Sequence, residues 1–486
     1  MLKAVLSAVI LIIAVILYTV YLFLKKNFNG LSWEEIVFHL KVPMKGTSNE
    51  MILDYFRTYG IRMGLGVCLS VLISVVGYMK LSPTAGTVLF VAAIILLLVA
   101  IGSILQSFDT FGCLIAQRKE SGFMEEEAVQ LTPEMLHFPE KKRNLIYLFL
   151  ESMESTFSSK EEGGAMEKDR IPELTALAKE GVNFSGDEKI GGATPSRGAS
   201  WTTGAMVSQT CAYPVMISLG GKNYQNEKNT FMPGAVSMGD VLKKEGYAQE
   251  IMVGSDLTFG GRKMYFEQHG DYFVYDYPYA KEQGKIPKDY YEWWGFEDEK
   301  LFEFAKKELE QLASEDEPFN LTMATMDTHC VEGYVCEKCG DAYDEQYYNV
   351  IACADSQLYQ FVEWVKEQPW YENTTIILCG DHLTMDARYA DSVDKDFNRS
   401  IFQVIVNPAV EPKKTEDRLY SALDMFPTTL AALGAEIEGE YLGLGVNLFS
   451  DQPTLCEKMG TEELAAQIKQ TSRYYNNKFL FAKPKK

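Results

Sequence analysis

At 486 residues the chain is too long for one ordinary domain; roughly 150 residues per domain allows two to four units. A net charge of −21 argues against nucleic acid as a partner, because that requires a concentrated basic face. The 47% hydrophobic content is ordinary overall but is gathered towards the amino end.

Three membrane spans are expected, at about 4–24, 62–80 and 82–107. Each is near or above the roughly 18–20 apolar residues that cross a bilayer. Lys3 gives the first a signal-like start, yet its apolar run exceeds the roughly 7–15 residues of a signal core and no small-x-small cleavage site follows. It reads as an uncleaved anchor, within a membrane region covering 1–115. Lys25, Lys26, Lys41, Lys45 and Arg57 in the first loop would hold that loop in the cytoplasm, while Lys3, Lys80, Arg118 and Lys119 give no clean opposing signal. Charge alone leaves the topology open.

Between the first two spans, 31–41 carries apolar residues at helical spacing with Trp33 near its start. Two readings stand: a helix in the membrane interface, or a loop helix packing on the bundle, with His39 as a surface polar residue. Residues 116–143 are charged, with Glu125, Glu126, Glu127, Pro133 and Pro139, and read as a linker. A soluble domain is expected over 144–455 and a tail helix over 456–486. Continuous apolar runs at 144–150, 319–326 and 374–379 read as buried strands of a parallel sheet. Helical patterns at 171–180, 238–245, 297–313 and 347–366 lie between them, so the fold class is a layered α/β domain with a mostly parallel sheet. Of nine cysteines, only Cys336 and Cys339 have a motif spacing; a zinc ribbon needs a second such pair, which leaves a disulfide-closed loop or two free thiols.

Working groups in open α/β sheets gather past the carboxyl ends of the strands. Glu151 follows the first run, Asp327 and His329 the second, and Asp381 and His382 the third. Upstream, a Pro/Ser/Gly-rich approach ends in Gly198–Gln209, which sets Thr202 and Thr203 at a helix start. Alone, Thr202 reads as an N-cap. Beside Glu151, Asp381 and His382 it completes an N/O ligand set suited to a borderline divalent cation, which would lower the pKa of its hydroxyl and make it a usable nucleophile.

These motifs, with Gly254–Arg262, Asp424–Thr428 and Gly443–Gly445, resemble in order and spacing the membrane-anchored phosphoglycerol transferases and lipoteichoic acid synthases of the alkaline phosphatase and sulfatase superfamily. The resemblance spans about 144–449 plus the anchor. It implies an alkaline-phosphatase-like fold and one divalent metal on Glu151, Thr202, Asp381 and His382, Mn²⁺ with Zn²⁺ or Mg²⁺ as alternatives. Thr202 would be the nucleophile, and Arg262 and His329 would contact the glycerophosphate group. Phosphatidylglycerol would be the donor and a glycan or polyglycerolphosphate the acceptor, at the outer face of the cytoplasmic membrane. Phosphoethanolamine transfer, phosphodiester hydrolysis and an inactive glycan-binding relative are the alternatives. One departure is Val253, where lipoteichoic acid synthases carry a substrate-binding His; it favours the glucan-type branch. A second is Ala193, which stands where sulfatases carry the Cys or Ser that becomes formylglycine, so sulfatase activity of that kind is excluded; the neighbouring Thr194 is a weaker rival for the nucleophile.

Overall fold

The computed structural model describes residues 2–42, 45, 46, 49–80, 83–187, 189–217 and 230–482. Residue 82 of the third expected span and the end of the expected tail helix lie outside these. The chain forms two compact units: Met1–Trp33, Ser48–Ile115 and Met385–Ala390 in one, and Glu34–Thr47, Ala116–Thr384 and Asp391–Lys486 in the other.

In the first unit, helices α1 (Leu2–Asn27), α3 (Asn49–Lys80) and α4 (Pro83–Ser107) contain the stretches Leu2–Asn27, Met51–Gly77 and Thr84–Ser107, each long and apolar enough to cross a membrane. α1 packs on both others. Gly66 lets α3 approach closely, since a Cβ there would lie 2.8 Å from Val15. The Thr19 and Tyr55 hydroxyls bond across the same crossing at 2.8 Å. Leu, Ile and Val side chains such as Ile61, Leu65 and Leu98 face outward, as a lipid-covered surface requires.

The second unit is built on a seven-stranded sheet. Its strands are β1 (Asn144–Leu150), β2 (Gly192–Ala193), β3 (Ala248–Val253), β4 (Phe273–Tyr275), β5 (Phe319–Ala324), β6 (Thr374–Gly380) and β7 (Ile401–Val406). The order is β2-β7-β6-β1-β5-β3-β4. β6, β1, β5, β3 and β4 run parallel, while β7 is antiparallel to β6 and β2 to β7. Every residue of β1 is buried, which is why it reads as an unbroken apolar run. Each such Leu, Ile or Phe contributes roughly 1.5–3 kcal/mol by leaving water. Flanking helices are α5 (Pro172–Glu180), α6 (Thr202–Cys211), α7 (Met238–Lys244), α8 (Arg262–Gln268), α9 (Asp298–Leu312), α10 (Gln346–Lys366) and α11 (Met425–Ala432).

The three expected strands and four expected helices are present within one or two residues. The expected tail helix is not a single helix. Gly460, at φ 82°, separates Leu455–Met459 from Thr461–Ile468, and a short turn Arg473–Tyr475 follows. The 116–143 stretch is tied into the sheet-bearing unit: Leu136 and His137 pair with Ile437 and Glu436, and Ser121 N–H donates to the Thr471 carbonyl at 2.8 Å. Of the two readings of Cys336 and Cys339, the structure has the free thiols. The Cys336 and Cys339 sulfurs stand unbonded 3.6 Å apart, and Cys353 of α10 lies 3.6 Å from Cys336 on its other side.

Strands β3 and β7 are additions to the sequence reading. β3 carries Glu250 in the middle of a buried run, and β7 carries Gln403, so neither presents an uninterrupted apolar signal. Burial, with Glu308 nearby, pushes the Glu250 carboxyl up to about 8 from an ordinary 4.5. The ionised form is therefore the one the fold disfavours: the group costs nothing below about 4.5, and its cost grows as pH rises through about 8. Glu250→Gln should stabilise the protein by at least about 1 kcal/mol more at pH 8 than at pH 5, because one pKa unit is about 1.4 kcal/mol. Chemical denaturation at the two pH values measures this; equal effects would contradict it.

Candidate active site

The register of three central strands assembles the site. β1 pairs with β6 through Leu150↔Gly380 and with β5 through Phe149↔Ala324, all parallel, so the residues following each strand emerge at one edge. Glu151 and Asp381 each lie one residue past a paired position. The Asp381 N–H donates to the Leu150 carbonyl at 3.1 Å and continues the ladder between them.

Glu151, Asp381 and His382 are all buried, and one ligand atom of each lies within 4.8 Å of the others. His382 Nε2 is 3.4 Å from Asp381 Oδ2 and 3.7 Å from Glu151 Oε1. The ring is fixed from behind, where Nδ1 meets the Leu383 carbonyl at 2.9 Å, which keeps Nε2 forward. Asp381 Oδ1 accepts from the Ser152 N–H at 2.8 Å and the His382 N–H at 2.7 Å, and Oδ2 is buried with no hydrogen-bond partner among the described residues. Burial and the Glu151 charge push Asp381 up to about 7. Burial alone would lower His382, but Asp381 and Glu151 hold it up to about 9. Two carboxylates and an imidazole packed together, with an orphaned inward oxygen, form a donor set that fits a divalent cation.

Thr202 is the first residue of α6, not its N-cap. Trp201 occupies the cap with extended backbone (φ −142°, ψ 158°) and makes no side-chain cap bond. The expected capping role is therefore corrected: the Thr202 hydroxyl is free to point elsewhere, and it donates to Glu151 Oε2 at 3.4 Å. Thr203 to Cys211 are buried; Thr202 is half-buried. Gln209 locks the helix onto the strand ends by donating to the Gly380 carbonyl at 2.9 Å and accepting from the Tyr147 hydroxyl at 2.8 Å. Gly260, at φ 68°, lets the loop before α8 close on the same helix, since a Cβ there would lie 2.5 Å from the Thr203 hydroxyl.

Arg262 opens α8 and is buried without a salt bridge among the described residues. Its Nε donates to the Phe259 carbonyl at 3.0 Å, and Nη2 donates to Ser255 Oγ at 3.2 Å and the Asp256 carbonyl at 3.3 Å. Burial lowers it to about 10 against the pull of Glu151, Asp256, Asp276 and Asp381, so it stays cationic at neutral pH. His329 is held by Nδ1 at 2.7 Å from the Cys330 carbonyl; burial, with His382 and Arg262 nearby, lowers it to about 4, so it is neutral. Trp294 packs on it at 4.9 Å and on Phe259 at 5.6 Å.

Thr194 takes a different place. Its N–H donates to the Tyr420 carbonyl at 2.7 Å beside the bridge to Ser421, and no bond joins it to Glu151, Asp381 or His382 among the described residues. Val253 is fully buried at the end of β3.

Sequence reasoning missed one polar neighbour. Helix α2 (Trp33–Lys41) belongs, from Glu34 onward, to the sheet-bearing unit. His39 stacks on Phe259 at 5.5 Å and 16°, so the reading of it as a surface polar residue on a bundle helix is corrected. Burial, Arg262 and His329 lower its pKa to about 4. The available signal was Glu35 and His39 one turn apart on one helix face.

The arrangement joins a hydroxyl at a helix start, a cation-binding set, a buried guanidinium and a neutral imidazole, which together can bind a phosphoryl group and stabilise charge developing on it.

Comparison with known proteins gives a family and a fold. A family profile described as Sulfatase matches residues 143–435. Phosphoglycerol transferase I of Shigella flexneri is 28% identical over 371 residues, covering 74% of this chain and 46% of that protein, and the protein of the same name from Escherichia coli strain 536 aligns to the same extent. The chain thus spans about half the length of the curated relatives it matches. A solved alkaline phosphatase superfamily protein from Vibrio parahaemolyticus superposes with TM-score 0.51 at 21% identity, over 68% of this chain and 77% of that one. The lipoteichoic acid synthase LtaP from Listeria monocytogenes superposes with TM-score 0.50 at 18% identity, over 68% and 80%. At these identities the two structural likenesses concern the fold.

Proposed function

Because this chain belongs to the sulfatase family, we propose that it is a metal-dependent phosphoglycerol transferase, moving glycerol-1-phosphate from phosphatidylglycerol to a hydroxyl of a glycan or polyglycerolphosphate. The observation that carries this reading is the Thr202 hydroxyl, freed from capping and 3.4 Å from Glu151 beside the Asp381–His382 pair. The names of the curated relatives support the transferred group. Ala193 offers no side chain for formylglycine chemistry.

In the first step the Thr202 oxygen attacks phosphorus, the bond to the diacylglycerol oxygen breaks, and diacylglycerol leaves with a proton. In the second an acceptor hydroxyl attacks the glycerophospho-threonine, the bond to Thr202 breaks, and Thr202 recovers its proton. Glu151 orients the attacking hydroxyl, and the free N–H groups of the first turn of α6 face the developing charge. Arg262 binds phosphoryl oxygens through its guanidinium. Neutral His329, its Nδ1–H engaged by the Cys330 carbonyl, has a bare Nε2 that can take the proton released by Thr202 and hand it to the leaving oxygen, then take one from the acceptor hydroxyl and return it to Thr202. A divalent cation held by Glu151, Thr202, Asp381 and His382, Mn²⁺ in this reading, would lower the pKa of the Thr202 hydroxyl and neutralise phosphoryl charge. A lipid donor is consistent with three helices long and apolar enough to cross a membrane; in this reading the amino end lies inside and the catalytic unit outside.

Full-length protein in detergent with Mn²⁺ and labelled phospholipids tests the reading. Diacylglycerol should be released from phosphatidylglycerol and not from phosphatidylethanolamine. Release from phosphatidylethanolamine alone would make it a phosphoethanolamine transferase, and release from neither would overturn transfer from phospholipids.

A further inference from the structure

Helix α2 comes from the sequence between the first two apolar helices, yet it forms part of the wall of the catalytic unit. Glu34 pairs with Arg197 of the loop leading to the nucleophile, with Arg197 Nε donating at 3.0 Å. Phe38 is fully buried against Trp201, the neighbour of Thr202, at 5.3 Å. Beyond the helix, Lys45 meets Asp256 at 3.3 Å, and Gly46, at φ 92°, lies so close that a Cβ would be 2.9 Å from Asp256 Cβ. These contacts, to two segments around the site, fix the helix that carries His39.

His39 is half-buried, and neither ring nitrogen has a hydrogen-bond partner among the described residues: Nδ1 is closed to solvent, and Nε2 is the one a ligand can reach. An imidazole nitrogen left unpaired at a site edge forgoes a hydrogen bond, so a ligand group that supplies one fits there. Its surroundings narrow the ligand. Phe259 carries the His39 ring on one contact, the Arg262 guanidinium at 5.7 Å on another and Trp294 on a third, and Trp294 in turn touches His329. The guanidinium is the group suited to phosphate. A neutral imidazole, with one donor and one acceptor between aromatic faces, is matched instead to an uncharged hydroxyl, which also donates and accepts. A headgroup ammonium would meet the Arg262 charge and could accept nothing from an imidazole N–H.

We propose that His39 is a specificity-determining contact for the hydroxyls of the transferred glycerol group, contributed to the catalytic unit by the helix between the first two membrane spans. This rests on the transferase reading above and names what selects its substrate. The transferred group then lies with its phosphoryl end on Arg262 and the Thr202 hydroxyl and its glycerol end against His39, Phe259 and Trp294.

The test compares two donors, phosphatidylglycerol and phosphatidylpropanol, which matches it in size but lacks the headgroup hydroxyls. Full-length wild type, His39→Phe and His39→Gln are assayed in detergent for diacylglycerol release. Phe keeps the stack on Phe259 and removes both nitrogens; Gln restores a donor and an acceptor. Wild type should prefer phosphatidylglycerol. His39→Phe should lose about 3–10-fold in kcat/KM on phosphatidylglycerol, the range of one neutral hydrogen bond, with phosphatidylpropanol unchanged. His39→Gln should recover part of the preference. An equal loss on both donors in both variants, or no loss on either, would overturn the assignment. If wild type releases diacylglycerol from neither donor, the transferase reading itself fails, and that outcome is distinct from loss of selectivity.

Discussion

At saturating Mn²⁺, Thr202→Ala should lower turnover of phosphatidylglycerol by at least about 10³-fold while leaving the unfolding midpoint close to wild type; Mn²⁺ itself should bind more weakly, because one of its four ligands is removed. The fold should tolerate the change because Thr202 is half-buried at the first position of α6, makes no cap bond, and Ala is a good helix former. What is lost is the oxygen 3.4 Å from Glu151. Thr202→Ser should retain measurable activity, since it keeps the hydroxyl and loses a methyl group. If Thr202→Ala keeps more than a tenth of wild-type turnover, Thr202 is not the nucleophile and the hydroxyl bond to Glu151 is structural.

Asp381→Asn should abolish activity by loss of metal. The side chain sits between His382 Nε2 and the Ser152 N–H, and its orphaned Oδ2 lies 3.4 Å from the His382 Nε2, another candidate ligand. The amide can still accept from the Ser152 and His382 N–H groups through its oxygen, so the loop after β6 keeps its shape. Replacing the anionic oxygen by NH₂ removes a ligand and sets a donor against the cation. Mn²⁺ affinity should fall by more than the roughly 10–100-fold that loss of an outer partner costs. Chelation of wild type should give the same inactive state, reversed by added Mn²⁺; the variant should not recover at that concentration. Metal titration by calorimetry checks both, and an unchanged affinity in Asp381→Asn would remove Asp381 from the ligand set.

Much of the sheet-bearing unit was legible because its central strands are buried on both faces. A strand such as Asn144–Leu150 then writes itself as an apolar run, and the parallel register brings Glu151, Asp381 and His382 together without further information. Legibility ended where burial and polarity coincide. Glu250 and Gln403 interrupt β3 and β7, and Gln403 is accommodated by a tertiary contact that no strand pattern displays, the Tyr420 hydroxyl donating to it at 3.1 Å. At α6 the preference of Thr for the N-cap set the helix one residue late; Trp201 takes that position because its ring is held by Phe38. His39 was hidden for a related reason. Its helix has an amphipathic pattern that fits a membrane surface or a bundle equally well, and only the contacts of Glu34, Phe38 and Lys45 with residues some 160 to 210 positions downstream assign it to the catalytic unit.

The central claim is that Thr202 becomes covalently loaded. Full-length protein incubated with Mn²⁺ and phosphatidylglycerol, without acceptor, is acid-quenched, digested and analysed by mass spectrometry. The expected result is a glycerophosphate adduct on the peptide containing Thr202, absent from Thr202→Ala and discharged when a glycan acceptor is added to the unquenched enzyme. Steady diacylglycerol release with no adduct on Thr202, or an adduct on Thr194 instead, would contradict the account.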